Sequence, residues 1–180
     1  MADCHGYPHR FRWIMKIEMS DADFQIRLID RSDTEAVARV IRDVMTEYGA
    51  TGEGTAFHDA EIDAMYDAYQ GRASYFVLTE GDRILGGGGI GPLAGDDGTT
   101  CELRKMYFLP EARGRGFGRI MLERCIAAAR DHRYSSCYLE TMDSMKEARR
   151  LYEAAGFKQS DKPSGETGHH GCDAWLRLEF

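Results

Sequence analysis

Arg113, Gly114, Arg115, Gly116, Phe117, Gly118 and Arg119 follow a strand-like run, Cys101 to Phe108, and open an amphipathic helix. A glycine-rich turn there clears side chains from the first backbone N–H groups of the helix. Those groups have no partner within the helix and sit at the positive end of its dipole. The chemistry that suits them is anion binding, above all of phosphate. Arg113, Arg115 and Arg119 add full positive charges, and guanidinium forks match phosphate oxygens. Each amide or charge contributes roughly 0.3–1 kcal/mol, more where partly buried. A dinucleotide fingerprint needs its glycines after the first strand, with an acid about twenty residues on. Here Gly114, Gly116 and Gly118 alternate and the turn lies past mid-chain. A Walker loop ends in Gly-Lys followed by Ser or Thr, and no such tripeptide occurs.

What is present is Arg-x-x-Gly-x-Gly, at Arg113, Gly116 and Gly118. This resembles the acyl-CoA signature of the GCN5-related N-acetyltransferase (GNAT) family. The similarity extends from about Cys101 to Phe157 and includes Leu151-Tyr152-Glu153-Ala154-Ala155-Gly156-Phe157, which is similar to that family's closing helix and the turn after it. The resemblance implies acetyl-CoA as co-substrate, with its pyrophosphate held by residues 113–119. It implies that the pantetheine arm pairs with the main chain along Met106, Tyr107 and Phe108. A backbone N–H near Met106 would polarise the acetyl oxygen, and oxyanion donors of this kind are a large catalytic term.

Two side chains are candidates for proton transfer. Glu102 stands eleven residues before Arg113, where some family members place a general base that takes a proton from the incoming ammonium through water. The alternative is that Glu102 pairs with a neighbouring cation such as Arg104. Tyr152 lies on the last helix, where similar enzymes keep a hydroxyl beside the sulfur, able to protonate a thiolate whose free pKa is roughly 8.5. Its alternative is a ring packed at a core position beside Leu151 and Ala155. Cys101 falls on the opposite face of the strand from Glu102, which speaks against a covalent acyl-cysteine route. Many family members carry Asn where this chain has Met145, so no cofactor contact is transferred to that residue.

Other groupings are weaker. His169, His170 and Cys172 lack a second cluster to complete a four-ligand site, so no metal is expected. By the resemblance, His169 or His170 borders the acceptor; the alternative is a plain surface loop. The glycine run Gly86–Gly89 follows a hairpin strand instead of opening a helix, so close backbone packing or a bulge accounts for it.

Composition sets the frame. The chain has 180 residues, 43% of them hydrophobic, enough for one domain with a real core. Its net charge of −7 is opposite to that of a general nucleic-acid or anionic-membrane binder. Between Leu103 and Arg119, however, five basic residues (Arg104, Lys105, Arg113, Arg115, Arg119) face one acid, Glu111. A positive patch in an acidic protein argues for one small anionic ligand, and the acidic remainder mildly favours a cationic second substrate. Five scattered cysteines read as a reducing, cytoplasmic setting.

The elements that must position these residues follow from periodicity. Residues 1–22 show no clear pattern and are expected as a loosely ordered arm, with the N-acetyltransferase domain over 23–180. Strands are predicted at Phe24–Ile29, Tyr75–Thr79, Arg83–Ile90, Thr100–Leu109, Ser135–Thr141, Phe157–Ser160 and Ala174–Phe180. Helices are predicted after a capping box at Ser32–Glu35, over Asp59–Gln70, over Gly118–Asp131 and from Ser144 to Ala155. The sum is an α+β fold, a mixed and mostly antiparallel sheet with helices on both faces, and the family's fold has the same order of elements. The expected activity is acetyl transfer to a primary amine, on a small molecule or a peptide, by direct attack in a ternary complex. The competing reading is a non-catalytic acyl-CoA sensor or interaction module. The resemblance leaves room for a homodimer.

Overall fold

The computed structural model describes residues 15–19, 22–168 and 170–180. Strands alternating with amphipathic helices give eight described strands: β1 (Met15–Met19), β2 (Ala22–Leu28), β3 (Ser74–Glu80), β4 (Arg83–Pro92), β5 (Thr100–Phe108), β6 (Ser136–Thr141), β7 (Lys158–Gln159) and β8 (Ala174–Glu179). They form one sheet in the order β1-β2-β3-β4-β5-β6-β8-β7. Its pairings are antiparallel except β5 with β6. The mixed, mostly antiparallel α+β architecture expected from the sequence is the one observed.

Helices cover both faces, so the central strands are apolar on both sides. On β3, Phe76 and Leu78 join a core built with α3 (Phe117–Asp131) through Phe117, Met121, Leu122 and Cys125. Tyr75 and Val77, one residue out of phase, join a second core with α1 (Thr34–Glu47) through Val37, Val40, Ile41 and Val44. Successive strand side chains point to opposite faces, and one strand thereby nails two layers together. The last helix, α4 (Lys146–Ala154), ends as expected at Gly156, whose φ of +97° favours glycine.

Local readings need correcting in three places. Met15–Met19 is an edge strand paired antiparallel with β2, from Met15 opposite Ile26 to Met19 opposite Ala22; residues 1–14, 20 and 21 of the expected arm lie outside the described residues. The cap of α1 is not Ser32. Instead the Asp33 carboxylate accepts from the Asp30 N–H at 2.7 Å and from both terminal nitrogens of Arg27, at 2.6 and 3.0 Å. The predicted Asp59–Gln70 helix is instead a tight turn at Ala60–Ala64 followed by a short α2 (Met65–Ala68), with another turn at Ala56–His58 just before it. There the Asp59 and Glu61 carboxylates are drawn inward to Lys105, and this tertiary pull overrides helical propensity.

The glycine run is a packing device. A Cβ on Gly89 would stand 2.6 Å from the Tyr75 ring and 2.7 Å from the Ser74 carbonyl, and one on Gly86 would collide with the Phe108 ring. β4 is bare where its neighbours press closest.

Candidate active site

The site exists because two parallel strands part company. β5 pairs with β6 only from Thr100–Ser136 to Glu102–Tyr138, while β6 continues on β8 to Thr141. Past Glu102 the β5 edge therefore faces a cleft instead of a strand, among the described residues. The cause is a bulge: Gly87 pairs with Tyr107 and Gly89 with Arg104, so Lys105 and Met106 both oppose Gly88. Lys105 takes φ +52°, and such a bulge bends its strand. The resulting cavity, about 610 Å³, is lined by Glu102 to Phe108 on one side and by Leu139 to Met142, Leu151 and Tyr152 on the other. An exposed strand edge of this kind accepts an extended ligand through main-chain hydrogen bonds.

One end of the cleft is the glycine turn. A tight turn at Pro110–Ala112 leads to extended Arg113, and Gly114 (φ +70°) and Gly116 (φ +83°) then swing the chain into α3. These left-handed positions suit glycine and leave the first N–H groups of the helix free of covering side chains. A Cβ on Gly118 would stand 3.3 Å from Leu151, so α3 and α4 meet closely there.

The three arginines of this turn do not converge. Arg113 forks onto the Glu47 carboxylate at 2.6 and 2.7 Å and donates through Nε to the Phe108 carbonyl at 2.8 Å. Its hydrogen bonds hold the Glu47 carboxyl below the usual carboxylate range. The Arg113 link ties the cradle to the end of α1. Arg115 stacks over Phe24 at 4.4 Å and Phe117 at 5.4 Å, and Arg119 pairs with Glu123 at 2.8 Å, one turn along its own helix. Of the cradle, Arg113, Gly114 and Gly118 line the cavity, whereas Phe117 is buried beneath it. The three guanidinium groups thus have separate partners and do not meet at one spot.

Both proton-transfer candidates reach the cleft from facing walls. Glu102 is 5% exposed, and its Oε2 lies 3.4 Å from Arg104 Nε. Glu102 is paired with Arg104, as one of its two alternatives had it, and also borders the cavity. Tyr152 packs its ring 6.0 Å from Phe157, and burial raises its phenol pKa well above the ordinary value, so the hydroxyl stays protonated. The packing alternative is thus present, and the residue also lines the cavity. Cys101 is buried in the core on the α3 side.

The far wall holds residues that sequence reasoning missed. Glu140, two residues beyond Tyr138 on β6, accepts from the Tyr138 hydroxyl at 2.7 Å and from Thr167 at 2.9 Å. Tyr138 also accepts from the Ser164 N–H at 3.0 Å, so β6 pins the loop before β8. That loop reaches two others, through Gly171 N–H to Gly54 O at 3.1 Å and Glu166 N–H to Ala94 O at 2.7 Å. Cys172 lines the cavity, its thiol pushed up to about 11 by burial and by Glu140, Asp173 and Glu102. The period-two spacing of Tyr138 and Glu140 was the available signal for that pair; the loop-to-loop contacts had none. His169 lies outside the described residues, and His170 is exposed in the same loop. Among the described residues no three His, Cys, Asp or Glu side chains gather as a metal site.

Comparison with known proteins agrees with this fold. A model of the acetyltransferase (GNAT) family matches residues 38–157. An uncharacterized N-acetyltransferase of Escherichia coli (strain K12), YjgM, is 42% identical over 158 residues, 86% of this chain and 94% of that protein. Among solved structures, an acetyltransferase of the GNAT family from Staphylococcus aureus Mu50 matches with a TM-score of 0.74 at 18% identity, covering 87% of this chain and 98% of its own. YncA of Salmonella typhimurium, solved with acetyl-CoA, matches with a TM-score of 0.69 at 22% identity, over 87% and 93% of the two chains. At such identities these structures speak for the fold alone.

Proposed function

Because the chain belongs to the acetyltransferase (GNAT) family, whose members transfer acetyl groups from acetyl-CoA, we propose that it acetylates a primary amine by direct attack in a ternary complex. The observation that carries this reading is the cleft where β5 leaves β6, with the glycine turn at one end and Glu102 and Tyr152 on facing walls.

Each group then has a role. The first N–H groups of α3 hold the pyrophosphate, and the β5 edge at Met106, Tyr107 and Phe108 pairs with the pantetheine amides. The Met106 N–H faces the acetyl oxygen and stabilises the charge that develops there; losing a donor of this kind costs roughly 10²–10³-fold in rate. Glu102 accepts the ammonium proton through water, and the freed nitrogen lone pair bonds to the acetyl carbon as the carbon–sulfur bond breaks. The nitrogen then gives up its one extra proton through water to the Tyr152 oxygen, which has passed its own to sulfur. Tyr152, kept protonated by burial, donates to the departing sulfur.

The acceptor meets the enzyme among the joined loops around Gly54, Ala94 and Gly171. Release of free coenzyme A over a panel of amines tests the reading. Tight acetyl-CoA binding with no turnover on any amine would favour the sensor module instead.

A further inference from the structure

The bulge residue of β5 carries an unexpected side chain. A φ of +52° disfavours any residue with a Cβ, yet the position holds Lys105, with 1% of its side chain exposed. Its Nζ lies 2.5 Å from Asp59 and 2.8 Å from Glu61, both on the turns after α1. Its carbonyl accepts from the buried Tyr75 hydroxyl at 3.0 Å. Side chain and main chain of one strained residue are thus anchored from two different elements.

The charges continue toward the chemistry. Glu61 Oε2 faces Arg104 Nη1 at 3.4 Å, its other oxygen accepts from Tyr69 at 3.5 Å, and Arg104 Nε stands 3.4 Å from Glu102. Asp59, Lys105, Glu61, Arg104 and Glu102 form an unbroken line from the turns after α1 to the candidate base. The residue after Lys105 is Met106, whose N–H the acetyl-transfer reading aims at the acetyl oxygen.

Buried ion pairs are weak stabilisers compared with apolar packing of the same volume. A line of five charges through a left-handed bulge is therefore better explained by geometry than by stability. We propose that Lys105 is a positioning residue: clamped by Asp59 and Glu61, it fixes the bulge, aims the Met106 N–H and aligns Glu102 through Arg104. The proposal rests on the acetyl-transfer reading above.

Lys105→Gly tests it, because glycine accepts the bulge backbone while removing the ammonium. A misplacement of about 1 Å costs up to roughly 10²-fold, so kcat per acetyl-CoA site falls at least about tenfold. Calorimetry still finds one acetyl-CoA site per chain, with Kd within about threefold of the parent, because the first turn of α3 is untouched. Lys105→Arg, which keeps the cation, recovers most of the lost kcat. Asp59→Asn weakens the clamp from the opposite side and lowers kcat in the same direction; it carries the test should Lys105→Gly fail to fold. An unchanged kcat per site in the variant or variants that fold, even with a lowered Tm, overturns the proposal. A parent protein that binds no acetyl-CoA overturns the acetyl-transfer reading instead.

Discussion

At the scale of single residues, Glu102 and Tyr152 each combine a structural contact with access to the cleft, and substitution separates the two contributions. Tyr152→Phe keeps the ring against Phe157 and removes only the hydroxyl. A positioned acid contributes roughly 10²–10⁴-fold, so kcat should fall by about 10²-fold while acetyl-CoA affinity measured by calorimetry stays near the parent's. Full turnover in Tyr152→Phe would leave the ring a packing role alone. Glu102→Gln removes both the base and the negative partner of Arg104 Nε, the one buried side-chain nitrogen or oxygen among the described residues without a hydrogen bond. A loss of about 10²-fold in kcat/KM is expected. A lower Tm with unaltered kcat/KM would mean that Glu102 serves Arg104 only.

At the scale of elements, the glycines act for two different reasons that mutation distinguishes. Around Gly116 there is open space, but its φ is +83°; a side chain there strains the backbone by about 1–2 kcal/mol without any clash. Gly116→Val should therefore displace the start of α3 and weaken acetyl-CoA binding more than it lowers Tm. Gly86 has ordinary backbone but no room, its absent Cβ facing the Phe108 ring and the Tyr107 carbonyl. Gly86→Ala should cost about 1–3 kcal/mol, seen as a lower Tm in thermal unfolding. Reversed effects in the two variants would mean that β4, not the turn, shapes the anion site.

At the scale of the whole molecule, the acid limb of stability follows from the pair that joins β2 to α1. Burial alone would raise the Asp33 pKa, but the hydrogen bonds from Arg27 and from the Asp30 N–H outweigh it and hold the carboxyl below its usual value. The folded pKa is thus depressed, so its stabilisation is fully present above about pH 4, the unfolded value. It is lost as pH falls through the lower folded value. Tm measured from pH 6 downward should fall more steeply for the parent than for Asp33→Asn, the two curves converging in acid; parallel curves would remove Asp33 from the acid transition. Ligand linkage gives a second global readout. Acetyl-CoA at about 100 times its Kd adds about 2.7 kcal/mol, roughly a 5–10 °C rise in Tm for a chain of this size.

Element order and the helix-opening glycine turn were legible in the sequence because they rest on local signals: alternation in strands, helical periodicity, and glycines at a helix start; Glu102 and Tyr152 were singled out by the family resemblance. The broken helix at Asp59, the Lys105 clamp, the diversion of Arg113 to Glu47 and the tie of Thr167 to Glu140 were not. Each pairs groups far apart in the chain, as Arg113 and Glu47 or Lys105 and Asp59 are. Which charge neutralises which depends on where the sheet and its covering helices bring them. The sequence alone determined that glycines would bare the main chain at the start of α3. Only the tertiary structure decided how the cleft beside it opens, because a strand parts from its neighbour where a bulge bends it, and that bulge is held by residues from another layer.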